Sequence, residues 1–159
     1  MIRNYAVSTA LLTSLITSTI THSQEKLTMN KEQKSVISAI ETMTAAFHKQ
    51  DIENVMAAYE KGAAIMFEPG QQSSDPILVK KMFQGFFQLN PSFIYPQGHE
   101  VYIANDIALH ISPWKMRGTS SEGQDIEQSG LSVAVLRKQV DGQWLLVLDN
   151  PHGQLLLEQ

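Results

Sequence analysis

The sequence predicts a single α+β domain, and three observations support that prediction. The chain of 159 residues has the length of one domain. Apolar residues recur at helical spacing through most of the first half. From residue 93 onward, apolar and polar residues instead alternate between turn signals. Helices that precede a set of hairpin-connected, antiparallel strands are typical of the α+β class.

The composition narrows the classes of function. Apolar residues make up 43% and charged residues 18% of the chain, which is a globular balance. The formal net charge is −4 and no run of basic residues occurs, so nucleic-acid binding is not expected. The absence of cysteine excludes disulfides, zinc–thiolate sites, iron–sulfur ligation and a thiol nucleophile.

Residues 1–23 have the layout of a secretory signal. Arg3 precedes an uncharged stretch over residues 5–20, and small residues lead up to a cleavage point after Ser23. The apolar centre is too short and too rich in hydroxyl groups for a transmembrane span. We therefore expect a periplasmic or secreted protein whose single domain covers residues 24–159. If translation starts at Met29, the protein is cytoplasmic instead.

Three helices are expected in the first half of the domain. Asn30 and Gln33 form a capping-box pattern before the first, whose apolar stripe is Val36, Ile40, Met43 and Phe47. Asp51 caps the second, which carries Tyr59 and ends near Gly62. After a short strand over residues 63–67, the third begins at Asp75-Pro76 and runs to about Leu89. Its expected buried stripe is Leu78, Met82, Phe83, Phe86 and Leu89.

The second half reads as strands. Alternation and turn signals place strands within residues 93–103, 107–116, 125–138 and 144–148. Asp141-Gly142 is the strongest hairpin turn in the chain. The short connections make these strands antiparallel.

The order of the elements, combined with four segments of sequence, points to a known family. The segments are AAFHKQDIENVMAAY (45–59), AAIMFEPG (63–70), the Asp75-Pro76 helix start, and LRKQVDGQWLLVLDNPHG (136–153). Over about residues 31–153 the chain resembles the nuclear transport factor 2-like superfamily, including ketosteroid isomerase and the SnoaL-like polyketide cyclases. The resemblance implies a cone-shaped, curved antiparallel sheet wrapped by the three helices around an open-ended apolar cavity. It also implies a homodimer formed through the sheet.

The resemblance makes Glu68 the first candidate for a general base. In ketosteroid isomerases an Asp-Pro pair at about this point supplies the base, and alignment on Glu68-Pro69 gives Glu68 that role. Alignment on Tyr59 shifts the match by one residue and places Phe67 there, on the opposite face of the strand. The family's hydrogen-bond-donating Tyr would fall at about Met43, which cannot donate. This departure argues against steroid-type isomerisation and requires a different donor.

His110 is the second candidate, for proton transfer. Alternation over residues 107–116 puts His110 on one face with Ala108, Ser112 and Trp114, and the sequence leaves open which face points inward. If that face lines the cavity, His110 gives it a titratable group and Trp114 an aromatic wall. Alternatively, His110 is a hydrogen-bonded structural residue or lies on the dimer face.

A third cluster follows the last strand. Asp149 and His152 are placed to form a hydrogen bond that orients the imidazole, and Asn150 is a candidate ligand contact. The alternative is a plain turn at Asn150-Pro151 in which Asp149 accepts backbone N–H groups. Gln128 is unusual in the middle of a strand and is a further candidate contact, as are Tyr59 and Phe67. Of the neighbouring Phe86 and Phe87, one is expected to line the cavity, and we assign Phe86.

Other chemistries have no support in the sequence. The histidines lack metal-ligand spacing, and no nucleotide-binding or serine-hydrolase motif occurs, so neither a metal nor a cofactor is expected. The leading hypothesis is a domain that binds a small apolar or aromatic molecule and catalyses cofactor-free isomerisation, dehydration or cyclisation. Glu68 would be the base, with His110 or the Asp149–His152 pair as the acid. The alternatives are a non-catalytic binding module and an association domain.

Overall fold

The computed structural model describes residues 29–157, which contain three α-helices and one seven-stranded sheet. The signal segment predicted for residues 1–23 lies outside the described residues. None of the helices in the described range is long and apolar enough to cross a membrane. The helices are α1 (Lys31–His48), α2 (Ile52–Ala57) and α3 (Pro76–Phe87), and a 3₁₀ helix covers Gly153–Leu157. The strands are β1 (Tyr59–Glu68), β2 (Gln71–Ser73), β3 (Ser92–Ile94), β4 (Glu100–Ala104), β5 (Ile107–Thr119), β6 (Asp125–Lys138) and β7 (Trp144–Asn150).

The helix starts follow the predicted capping chemistry. The Asn30 side chain accepts a hydrogen bond from the Gln33 N–H, and the Gln33 side chain accepts one from the Asn30 N–H, both at 2.9 Å. Asp51 caps α2, and Asp75 caps α3 with Pro76 in its first turn. These side chains satisfy backbone N–H groups that have no partner within the helix.

Two details of the helices differ from the prediction. Helix α2 ends at Ala57, because the Leu146 N–H donates to the Ala58 carbonyl oxygen at 2.9 Å and draws Tyr59 into β1. Gly62, which we expected to end the helix, lies within β1 at a φ of 84°. Helix α3 buries Val79, Phe83 and Phe87, so Phe83 is the one member of the predicted stripe that is fully buried, and Leu78 is 45% exposed.

The sheet has the order β2-β1-β7-β6-β5-β3, with β4 also paired to β5. Strands β5 and β6 form the longest ladder, from the pair Ile107–Arg137 to the pair Thr119–Asp125. All pairs are antiparallel except β1–β7, which is parallel, so the sheet is mixed rather than wholly antiparallel. The curved sheet does not close, and with the three helices it confirms the predicted α+β cone.

The inner face of the sheet is now settled for β5. Ala108, His110, Ser112 and Met116 are all buried, so the face that carries His110 points toward the helices. The facing side of α1 contributes Phe47, whose ring contacts three others edge-to-face. The centroid distances are 5.7 Å to Phe83, 4.9 Å to Phe87 and 5.6 Å to Phe93.

Candidate functional site

A cavity of about 160 Å³ lies between the helices and the inner face of the sheet. Eight of the nineteen described residues that line it carry a Phe, Tyr or Trp ring: two tyrosines with Phe47, Phe67, Phe83, Phe86, Phe93 and Trp114. The polar lining groups are few and belong to separate elements. A largely apolar cavity with a few convergent polar groups is the usual form of a small-molecule site.

A β-bulge directs Asp149 into this cavity. Leu136 of β6 pairs with Leu146 of β7, but the next pair is Val135 with Leu148, so β7 has one extra residue, Val147. Regular alternation from Leu146 would turn Leu148 inward and Asp149 outward. The bulge reverses this, and Asp149 lines the cavity opposite the small side chain of Ala134.

Asp149 is a carboxyl group in apolar surroundings with one strong hydrogen-bond donor. The Tyr59 hydroxyl donates to Oδ2 of Asp149 at 2.8 Å. Burial raises the pKa of Asp149, while the Tyr59 hydrogen bond and the charge of His152 act in the opposite direction. Burial, with the negative charge of Asp149, raises the pKa of Tyr59 well above its usual value, which keeps the phenol protonated. Asp149 is thus a stronger base than an exposed carboxylate, held in place by a neutral donor.

His152 also lines the cavity but does not bind Asp149 as predicted. Its Nε2 lies 3.2 Å from the carbonyl oxygen of Phe67, and its backbone N–H donates to Asn150 Oδ1 at 3.0 Å. A carbonyl oxygen only accepts, so Nε2 carries the proton of this contact. The expected Asp149–His152 hydrogen bond is replaced by these contacts and by Tyr59. Asn150, predicted as a ligand contact, is not among the lining residues because the bulge turns Asp149 inward instead.

A second polar group contributes to the cavity lining. The hydroxyl oxygens of Thr44 and Tyr95 are 2.9 Å apart, and both residues line the cavity. One hydroxyl donates to the other, so the pair keeps one O–H free to donate elsewhere. Burial raises the pKa of Tyr95, and the negative charge of Asp149 adds to this effect. The pair supplies a donor beside Met43, the position where the resemblance left none.

Neither Thr44 nor Tyr95 was found from the sequence. Thr44 sits on the buried side of α1 among apolar residues, and its place four residues after Ile40 is the one signal that marks it as inward-facing. Tyr95 immediately precedes Pro96 in an irregular segment, where no periodicity indicates which way a side chain points.

Five of the predicted contacts do line the cavity: Tyr59, Phe67, Phe86, Trp114 and Gln128. Trp114 is held at this wall by a 3.0 Å hydrogen bond from Nε1 to the Pro151 carbonyl oxygen. Gly130 leaves room for that arrangement, since a Cβ there would lie 2.7 Å from the same oxygen and 2.9 Å from the indole ring.

Glu68 lies outside the cavity. Its side chain is exposed at the end of β1, and Phe67 lines the cavity in its place. The alignment on Tyr59, which put Phe67 at the family's base position, therefore agrees with the geometry. A role for Glu68 as the cavity base does not fit its position.

His110 is fully buried and does not line the cavity. Its Nε2 lies 2.9 Å from Nδ1 of His99, and its own Nδ1 has no hydrogen-bond partner within residues 29–157. Burial, with a smaller effect of His99, lowers the pKa of His110 to about 4. This position fits the structural alternative for His110 and not a direct role in proton transfer.

We expect His110 to make the fold sensitive to acid. Its pKa is about 4 when folded against an unperturbed 6.5, so the unfolded chain binds the proton first. Stability is therefore lost as pH falls from about 6.5 toward 4, by up to roughly 3 kcal/mol. Urea unfolding at pH 7 and pH 4.5 measures the loss, and the apolar variant His110→Leu should show a smaller one. An equal loss in the variant would contradict this assignment.

No group of three or more His, Cys, Asp or Glu side chains that could hold a metal ion occurs in the described part of the chain.

Comparisons with known proteins extend the description of the fold. No family model and no curated protein matches the chain. Among solved structures, a nuclear transport factor 2-like superfamily protein from Salmonella enterica matches with a TM-score of 0.66 and 11% identity, over 77% of this chain and 92% of that one. A candidate dehydratase from the same family in Streptomyces avermitilis matches with a TM-score of 0.67 and 15% identity, over 77% and 95%. A ketosteroid isomerase-like protein from Erwinia carotovora atroseptica matches with a TM-score of 0.59 and 20% identity, over 76% and 95%.

These similarities show that the chain has the nuclear transport factor 2-like fold, as its sequence resemblance implied. At these identities they show the fold alone.

Proposed function

We propose that this protein binds a small apolar or aromatic molecule in its cavity and catalyses a cofactor-independent proton transfer on it, of the isomerase or lyase type. The observation that carries the proposal is Asp149, a carboxyl group with a raised pKa, hydrogen-bonded by Tyr59 inside an aromatic cavity. The names of the solved relatives, a dehydratase and an isomerase-like protein, support the same class of reaction.

The arrangement suits removal of a proton next to a carbonyl group. Ionised Asp149 takes the proton from carbon, and the electron pair of the C–H bond moves onto the carbonyl oxygen to give an enolate. The free O–H of the Thr44–Tyr95 pair donates a hydrogen bond to that oxygen. Return of the proton to another carbon completes an isomerisation, whereas loss of a hydroxyl group as water completes a dehydration. Tyr59 orients the carboxylate throughout.

A probe reaction tests the proposal without knowledge of the natural substrate. In 5-nitrobenzisoxazole, a base removes the proton on carbon 3, the N–O bond breaks, and a coloured cyanophenolate forms. We expect the full chain to convert this uncharged probe with saturable kinetics, faster than acetate at equal concentration and pH. The rate should rise with pH as Asp149 ionises. Binding of the probe without turnover would favour the non-catalytic binding module. If the probe neither binds nor turns over, the proposal is contradicted.

The outer face of the sheet supports a homodimer as a second proposal. On β5 and β6 this face carries partly exposed apolar side chains, including Leu109, Ile111, Val133 and Val135. An apolar sheet face of this kind is a common association surface. Sedimentation equilibrium would give a mass near twice that of the chain, and a mass equal to one chain would contradict the dimer.

A further inference from the structure

We propose that the ligand of the cavity is an uncharged molecule with a single six-membered ring that carries one ketone or hydroxyl oxygen. The inference rests on the proposed function, because it takes Asp149 to be the group that exchanges the proton. It adds the size, the charge and the orientation of the ligand.

The size follows from the volume. The cavity measures about 160 Å³, and an engineered apolar cavity of about 150 Å³ in another protein binds benzene. One six-membered ring with a few substituent atoms, alone or fused to one five-membered ring as in 5-nitrobenzisoxazole, is therefore a good fit, whereas four fused rings are not. The walls offer little room for expansion, because the Phe83 ring packs edge-to-face against both Phe47 and Phe67 and fixes the apolar side.

The charge follows from the ionisable groups in the lining. Asp149 is the acidic residue that lines the cavity, and no Lys or Arg lines it within the described range. His152 also lines it, but its Nε2 contacts the carbonyl oxygen of Phe67 at 3.2 Å. A carboxylate or phosphate on the ligand would be buried beside Asp149 without a strong cationic partner, which is costly. An ammonium group would be attracted to Asp149 and the aromatic rings, but it would hold the carboxylate as its counter-ion and prevent proton uptake. An uncharged ligand avoids both outcomes.

The orientation follows from the two polar groups. The Thr44–Tyr95 pair has one free O–H, which suits an oxygen acceptor on the ligand. Asp149 lines the same cavity as this pair and suits the adjacent C–H group. A ring ketone meets both requirements, and its enol form, which in an aromatic ring is a phenol, resembles the intermediate.

A panel of ligands that each contain one aromatic ring tests this inference by calorimetry on the full chain at pH 7. The panel is 4-methylphenol (uncharged), benzoate (anionic), benzylamine (cationic) and estradiol, a phenol with four fused rings. We expect 4-methylphenol to bind at least about tenfold more tightly than each of the others. Tighter binding of estradiol would overturn the size argument, and tighter binding of benzoate or benzylamine would overturn the charge argument.

Two variants test the orientation and the size separately. Tyr95→Phe should weaken 4-methylphenol binding about three- to tenfold while leaving toluene binding unchanged, because only the phenol uses the hydroxyl pair. Tyr102→Phe, at an exposed phenol on β4, is the matched control and should change neither. Phe86→Ala should enlarge the cavity and raise the affinity for 2-naphthol relative to 4-methylphenol. Equal effects of Tyr95→Phe on phenol and toluene would contradict the assigned contact.

The inference and the proposed function fail in different ways. If 4-methylphenol binds selectively but the ring-opening probe is not converted, the ligand class stands and the catalytic proposal is wrong. If the probe is converted through Asp149 while benzoate or estradiol binds best, the catalytic proposal stands and the ligand class is wrong.

Discussion

Replacing Asp149 with Asn is expected to lower the rate constant for ring opening of 5-nitrobenzisoxazole by at least about 100-fold, with little change in KM. A positioned general base contributes typically about 10²–10⁴-fold to such a step, and Asn keeps the shape and the hydrogen bond from Tyr59 but cannot take the proton. Absorbance of the phenolate product measures the rate.

The same variant should be more stable than the wild type at neutral pH. Burial raises the pKa of Asp149 above that of the unfolded chain, so its ionisation lowers stability as pH rises through the folded pKa. Below the unfolded pKa of about 4 both states hold the proton, and this difference should disappear. A loss of activity accompanied by a gain in stability at pH 7 separates a functional role from damage to the fold.

Glu68→Gln is the matched carboxyl control for this experiment. Glu68 is exposed and outside the cavity, so the variant should keep the wild-type rate. Loss of activity in Glu68→Gln with full activity in Asp149→Asn would instead support the base suggested by the family resemblance.

Tyr59→Phe should move the pH–rate profile of the probe reaction to higher pH, because the lost hydrogen bond no longer favours the ionised carboxyl group.

Replacing Phe47 with Ala is expected to lower the free energy of unfolding by about 3–5 kcal/mol, the usual cost of removing a buried Phe ring. Phe47 is 5% exposed and contacts the rings of Phe83, Phe87 and Phe93, so α1, α3 and β3 all lose a packing partner. Urea unfolding measures the change.

The exposed position Ile77 provides the control for this stability measurement. Its side chain is 81% exposed on α3, and Ile77→Ala should change stability by no more than about 0.5 kcal/mol. If Phe47→Ala costs less than about 1 kcal/mol, the aromatic cluster is not the centre of the core that the structure indicates.

Much of the fold follows from local signals in the sequence. The capping pattern at Asn30 and the apolar spacing define α1, and the alternation along β5 and β6 is strong enough to predict both strands. The start of β1 at Tyr59 was not predictable in the same way. Residues 52–59 have helical spacing, and the pairing of Tyr59 with Leu146, far along the chain, overrides that preference.

The site was less predictable than the fold, because it depends on how strands are paired. Phe67 lines the cavity and its neighbour Glu68 does not, but the alternation of side chains alone is compatible with either one facing inward. Thr44 and Tyr95 meet only after α1 packs across the sheet. Asp149 was identified as a candidate, but its partner is Tyr59 rather than His152, which no spacing within the last strand reveals.

The extra residue Val147 determines which side chain of the last strand faces the cavity. With the bulge, Asp149 faces inward and the cavity is acidic. With regular pairing beyond Leu146, Leu148 would take that position and the same sequence would line an uncharged cavity. For this one sequence, strand register thus decides whether the cavity wall carries an acid–base group or an apolar side chain.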